Sequence, residues 1–76
     1  MTKKEFVEEL ESMLELDAGT IKGDEQVLAD LRGWDSMAAI GFIAMADAVA
    51  GTAVVPTELA QCKTVADLAT LVHAED

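Results

Sequence analysis

Apolar residues open the chain at Phe6, Val7, Leu10, Met13 and Leu14, spaced i, i+1, i+4, i+7 and i+8. That spacing is one stripe of an amphipathic helix. Thr2, three residues ahead of Glu5, has the T-x-x-E form of a capping box, so the helix is expected to start near Lys3. Glu5, Glu8, Glu9, Glu11 and Glu15 fill the remaining positions and predict a solvated face, with a binding face as the alternative. Asp17, Ala18 and Gly19 are expected to end the helix, with Gly19 as a left-handed cap. Residues 18–35 carry no sustained period. Ile21, Val27, Leu28 and Leu31 are spaced there as anchors for a long loop lying on a core, with a short helical turn expected at 27–31. A loop of this length in a small domain is usually functional.

The next periodic run predicts a second helix from Ser36 or Met37 to about Ala50. Asp35 and Ser36 are both good N-cap residues. Phe42, Met45, Ala46 and Val49 make one stripe, with Met37 and Ile40 in a second that partly overlaps it, and Gly51 closes the run. Residues 53–56, ending in Pro56, read as a short extended link, because the residue before proline is pushed from the helical region. Residues 57–61 allow one or two helical turns. Thr64, with Asp67 three residues on, caps a last helix whose stripe is Val65, Leu68, Leu71 and Val72. No strand is predicted. The expected fold is all-α: a small antiparallel bundle of three main helices plus one short helix, with a long loop between the first and second.

Seventy-six residues are expected to make one domain over 1–76. The net charge of −10 argues against nucleic acid and anionic membranes and for partners with basic patches. A hydrophobic share of 51% separates the chain from a charged coil. Between Met37 and Pro56 the only charge is Asp47, which approaches a membrane span in length. Asp47 near its middle, Gly51, Pro56 and the preponderance of Ala and Gly argue against insertion. One cysteine, Cys62, makes no disulfide framework or Cys-rich metal site and fits a reducing, cytoplasmic compartment. The charged first residues give no export signal. His73 is the only histidine, far along the chain from Ser36 and with no second metal ligand at helical spacing, so it reads as a surface residue. Neither a catalytic set nor a metal site is expected, and the chain is not expected to be an enzyme. From the residues alone this is an acidic helical module with a serine at a helix start. Ser36 is then either a helix cap or a site of modification.

Asp35-Ser36-Met37, preceded by Gly33 and followed by a helix, resembles the Asp-Ser-Leu site of acyl carrier proteins. The order of an acidic first helix, a long loop, a Ser-led helix, a Pro-containing link, a short helix and a capped last helix is similar to that family over almost the whole chain. The resemblance implies a 4′-phosphopantetheine arm joined through a phosphodiester to Ser36, with acyl or aminoacyl groups held as thioesters on its thiol. It implies that a phosphopantetheinyl transferase brings the base, metal ion and coenzyme A, and that acyl-loading, condensing or modifying enzymes are the other partners. Asp35 takes the place of the motif aspartate, and Met37 that of the commoner leucine. Val7, Leu10, Phe42, Ala46, Leu68 and Leu71 are candidates for a core that shelters an acyl chain, or are ordinary packing. A freestanding monomer is expected.

Two departures bear on the pathway. The form Gly33-Trp34-Asp35-Ser36 is more similar to carriers of specialised polyketide, peptidyl or aminoacyl systems than to the Leu-Gly-x-Asp-Ser-Leu of the fatty-acid type. Residues 1–18 hold two Lys and six acids, a net of −4, whereas residues 36–50 hold only Asp47, a net of −1. A second helix so short of charge is expected to meet partners through Trp34, Met37, Ala38, Gly41 and Ala48 by close apolar packing. Trp34 is equally placed to act only as a hydrophobic staple. The alternative to a carrier is an unmodified helical protein-protein interaction module docking a partner helix on its Ala/Gly face.

Overall fold

The computed structural model describes residues 1–75, and they form four helices in the expected order: α1 (Lys3–Met13), α2 (Ser36–Ala50), α3 (Pro56–Ala60) and α4 (Val65–Leu71). A 3-10 turn, Leu28–Asp30, lies within the loop between α1 and α2. The described residues contain no strand, only isolated bridges at Thr2–Glu75 and Val27–Thr64. The chain is all-α, with a radius of gyration of 10.9 Å. Met13 at the end of α1 lies over Gly41 of α2, and Phe6 near the start of α1 meets Phe42.

Local chemistry sets the helix starts. The Thr2 hydroxyl accepts the Glu5 N–H while the Glu5 carboxylate accepts the Thr2 N–H, the complete capping box. Thr64 and Asp67 repeat it on α4, and Asp67 also accepts the Lys63 N–H. Pro56 begins α3 at its first position, where its missing N–H costs nothing.

The end of α1 corrects the sequence expectation. The helix stops at Met13, a turn before Asp17, and Glu15, not Gly19, takes the left-handed conformation that closes it (φ 59°). Leu16 N–H bonds to the Glu11 carbonyl at 2.8 Å and Glu15 N–H to that of Ser12 at 3.1 Å, a Schellman closure without glycine. Stopping early turns half-buried Leu16 onto the core. Gly19 does have positive φ, but in the following turn.

The core joins Phe6 and Leu10 of α1, Phe42 and Ala46 of α2, Leu59 of α3 and Val65, Leu68, Ala69 and Val72 of α4. Ile21, Leu28 and Leu31 of the loop and Val54 of the link complete it. Three of the four predicted loop anchors are thus buried. Val27 is exposed instead, although its backbone bridges to Thr64. Val49 and Ile40 are also exposed, so the buried face of α2 is narrower than its apolar sequence implies.

Glu11 is the largest departure. It was expected on the solvated face, yet it is only 4% exposed, and its carboxylate accepts the Ile21 N–H at 2.8 Å. The loop is further tied to α4: Leu28 N–H bonds to the Lys63 carbonyl, Val65 N–H to that of Gln26 and Ala66 N–H to that of Asp24. A buried N–H stripped of its acceptor costs about 1–3 kcal/mol. Glu11→Ala should lose stability of that order, and the Ile21 amide should gain more in hydrogen exchange than its neighbours. Glu11→Gln, which keeps an acceptor, should lose less.

The N–H groups of Lys63 and Thr64 hold the Asp67 carboxyl below the usual carboxylate range. Because the folded state lowers that pKa, the stabilisation is present above the unfolded pKa and is lost as pH falls through the folded one. Asp67→Asn keeps an acceptor and removes the charge. It should lower Tm by a few degrees at neutral pH, and the two proteins should converge in acid, as thermal melts from neutral pH to below the carboxylate range would record.

Candidate functional site

Ser36 is the first residue of α2 and is exposed. Asp35 is the N-cap: its extended backbone (φ −146°) turns the chain into the helix, and its carboxylate accepts the Ala38 N–H at 2.9 Å. With Asp35 as cap, the Ser36 hydroxyl is left without a hydrogen-bond partner among the described residues. The N–H groups of Ser36 and Met37 likewise have no acceptor among the described residues. The start of α4 is the opposite case. There Val65, Ala66 and Asp67 all donate, to Gln26, Asp24 and Thr64. The start of α2 therefore offers free donors and the positive end of a 15-residue helix beside an available hydroxyl.

The residues leading into the site are held firmly. Gly33 has φ 87°, a conformation that favours glycine, and its α-carbon faces the backbone and side chain of Leu14. Trp34 is half-buried and meets Phe42 edge-on, with ring centroids 6.4 Å apart. Phe42 in turn takes Phe6 edge-on at 6.0 Å. Trp34 thus anchors the start of α2 to the core while part of its ring stays at the surface.

The other candidates separate by face. Met37 is 75% exposed, and Ile40, which sequence reasoning missed as a surface residue, is 65% exposed. Ala44 and Ala48 are exposed as well, whereas Ala38 and Gly41 are half-buried toward α1. The 37, 40, 44, 48 spacing of this outward stripe was present in the sequence, but the stronger apolar stripe around Phe42 obscured it. A groove of about 360 Å³ opens beside the site between the end of α1 and the start of α2, with Met13, Leu14, Gly33, Met37 and Gly41 in its lining. A larger groove, about 470 Å³, lies over Lys3, Val7, Glu11 and Ile21, and none of its lining residues flanks Ser36.

His73 lies beyond the opposite end of α2, where it lines a groove with Thr52 and Val54. The Cys62 thiol is pushed up by burial and by the nearby Asp67 and Glu58 carboxylates. Among the described residues no group of three or more His, Cys, Asp and Glu is arranged to hold a metal ion. No helix among them is long and apolar enough to cross a membrane.

The family model described as Phosphopantetheine attachment site matches residues 4–72. The chain belongs to this family. It is a phosphopantetheine-bearing carrier protein, and its prosthetic group is a covalent 4′-phosphopantetheine. No curated protein and no solved structure gave a significant match. The start of α2 fits such a group: a phosphodiester needs a free hydroxyl for its bond and unpaired donors for its charge, and the carrier has both there.

Proposed function

We propose that Ser36 carries the phosphopantetheine arm and that the carrier shuttles acyl or aminoacyl intermediates between enzymes of a specialised pathway. The supporting observation is the uncommitted start of α2. The chain has two serines, and the other, Ser12, lies in the last turn of α1, where the helix presents carbonyl groups. Loading removes the proton from the Ser36 hydroxyl, forms the Oγ–P bond and releases the nucleotide half of coenzyme A. The transferase supplies the base. Asp35 holds the helix start open for this, because its carboxylate occupies the Ala38 N–H and leaves those of Ser36 and Met37 to the phosphodiester. Once bound, the arm supplies a terminal thiol that holds cargo as a thioester. In this reading Ser36 is a substrate atom, the carrier has no catalytic activity of its own, and partner enzymes load, condense or modify the cargo. The single free cysteine, Cys62, supports a cytoplasmic setting.

Met37, Ile40 and Ala48, with the exposed part of Trp34, form the surface these partners would meet, and Ala38 and Gly41 lie at its edge toward α1. The pathway assignment rests on the GWDS form of the site and on this apolar face, which carries a single acid, Asp47.

Incubation with coenzyme A, Mg²⁺ and a broad-specificity transferase should add the mass of one arm to the wild type and none to Ser36→Ala. An unchanged wild-type mass with several transferases would favour the unmodified interaction module. Burying an isoleucine side chain contributes about 1.5–3 kcal/mol, which is about tenfold or more in affinity. Ile40→Glu should weaken binding to a cognate enzyme by at least that factor and exposed Ala48→Glu should act in the same direction, while added salt should weaken it little. Steep salt dependence with these substitutions tolerated would move the docking surface to acidic α1.

A further inference from the structure

We infer that Trp34 is a positioning residue for loading of the arm: its ring holds the Ser36 hydroxyl in the place from which it attacks. This deepens the attachment of the arm at Ser36 and rests on it. Ser36 does not fix itself. It is exposed, and its hydroxyl and N–H have no partner among the described residues. Arg32, Gly33, Asp35 and Met37 are exposed as well, so Trp34 is the one residue between Leu31 and Ala38 that is set into the protein. The backbone of this segment holds only to itself: Gly33 arrives with φ 87°, and the Trp34 N–H reaches the Leu31 carbonyl at 3.2 Å. Asp35 caps α2 through the Ala38 N–H, which ties it to the helix ahead and not to the rest of the bundle.

The partner of the ring shows what it holds. A hydrophobic staple pairs the residue before the N-cap with the fourth of the helix, here Ala39, and fixes only the entry of the chain. Trp34 reaches deeper. It meets Phe42 edge-on, with the ring planes at 69°, and Phe42 is fully buried and itself meets Phe6 of α1. Ser36 therefore lies between two fixed points, the Trp34 ring two residues before it and the body of α2 after it, both referred to the same buried ring. Loading forms the Ser36 Oγ–P bond as the P–O bond to the nucleotide half of coenzyme A breaks, and the base of the transferase takes the hydroxyl proton. The attacking oxygen has to stand in line with the leaving one, and a misplacement of about 1 Å costs about 10²-fold in rate. An exposed hydroxyl on a segment free to swing spends little time in line, and the ring removes that swing.

Single-turnover loading separates position from contact. The transferase is held in excess over the carrier with saturating coenzyme A and Mg²⁺, and mass spectrometry follows the gain of the arm. The maximal rate reports the attack, and the transferase concentration at half-maximal rate reports docking. Trp34→Leu keeps an apolar side chain and removes the edge-on contact. It should lower the maximal rate about tenfold or more and leave the half-saturating concentration little changed. Trp34→Phe can still meet Phe42 edge-on and should keep the maximal rate near that of the wild type. Loss of fold reads differently: an unfolded fraction shows in circular dichroism melts and as missing amplitude or weaker docking, not as a slower saturated rate. Backbone ¹⁵N relaxation gives a second measure, in which the Ser36 and Met37 amides of Trp34→Leu should lose order while those of Ala44 and Ala48 keep it. A wild-type maximal rate in Trp34→Leu, or weaker docking alone in both variants, makes the ring a staple or a transferase contact and overturns the inference. A wild type that never gains the arm defeats the attachment reading itself, and this inference with it.

Discussion

The start of α2 is where it is because Phe42 is gripped from two sides. Phe6 meets its ring edge-on from α1, and Trp34 meets it edge-on from the loop. Edge-to-face aromatic pairs stabilise by about 0.5–1.5 kcal/mol beyond the area they bury. The value of the arrangement here is positional. The first contact sets α1 against α2, and the second fixes the residue immediately before the N-cap. Asp35 and Ser36 are then presented by a short, anchored segment, although the loop leading to them is long.

That loop is held by a polar device as well as by apolar anchors. The Glu11 carboxylate reaches the Ile21 N–H, and the carbonyls of Asp24 and Gln26 take the first N–H groups of α4. These bonds satisfy backbone groups that would otherwise be buried without partners. They also make the two helix starts unlike each other. α4 spends its leading donors on the fold, whereas the N–H groups of Ser36 and Met37 at the start of α2 have no acceptor among the described residues.

Charge is distributed to the same effect. α1 carries Glu5, Glu8, Glu9 and Glu11, whereas α2 presents Met37 and Ile40 outward with Asp47 as its only charge. Under the proposed reading, an apolar face rimmed by small residues permits close approach to partner enzymes. The same scarcity of side chains at Gly33 and Gly41 leaves the groove beside Ser36 open.

The helix starts were legible in the sequence, because capping is a short-range interaction. Thr2 with Glu5, Thr64 with Asp67, and Asp35 ahead of Ser36 lie within three residues of the groups they bind. The place of Ser36 at the first position of α2 was legible too, since a cap and the apolar run behind it are local. Tertiary structure decided the rest. Glu11 sits beside Leu10 and four residues after Val7, at the edge of the apolar stripe, and only the returning loop covers it. The end of α1 followed from the need to turn Leu16 and Ile21 inward, which overrode the preference for glycine at Glu15. The sequence singled out Phe42 and Ala46, which are buried, but not how narrow that face is on a helix apolar on nearly every side, since Val49 of the same stripe is exposed. Burial there depends on which neighbours arrive, and Phe6 and Trp34 arrive over Phe42, leaving Met37 and Ile40 to solvent.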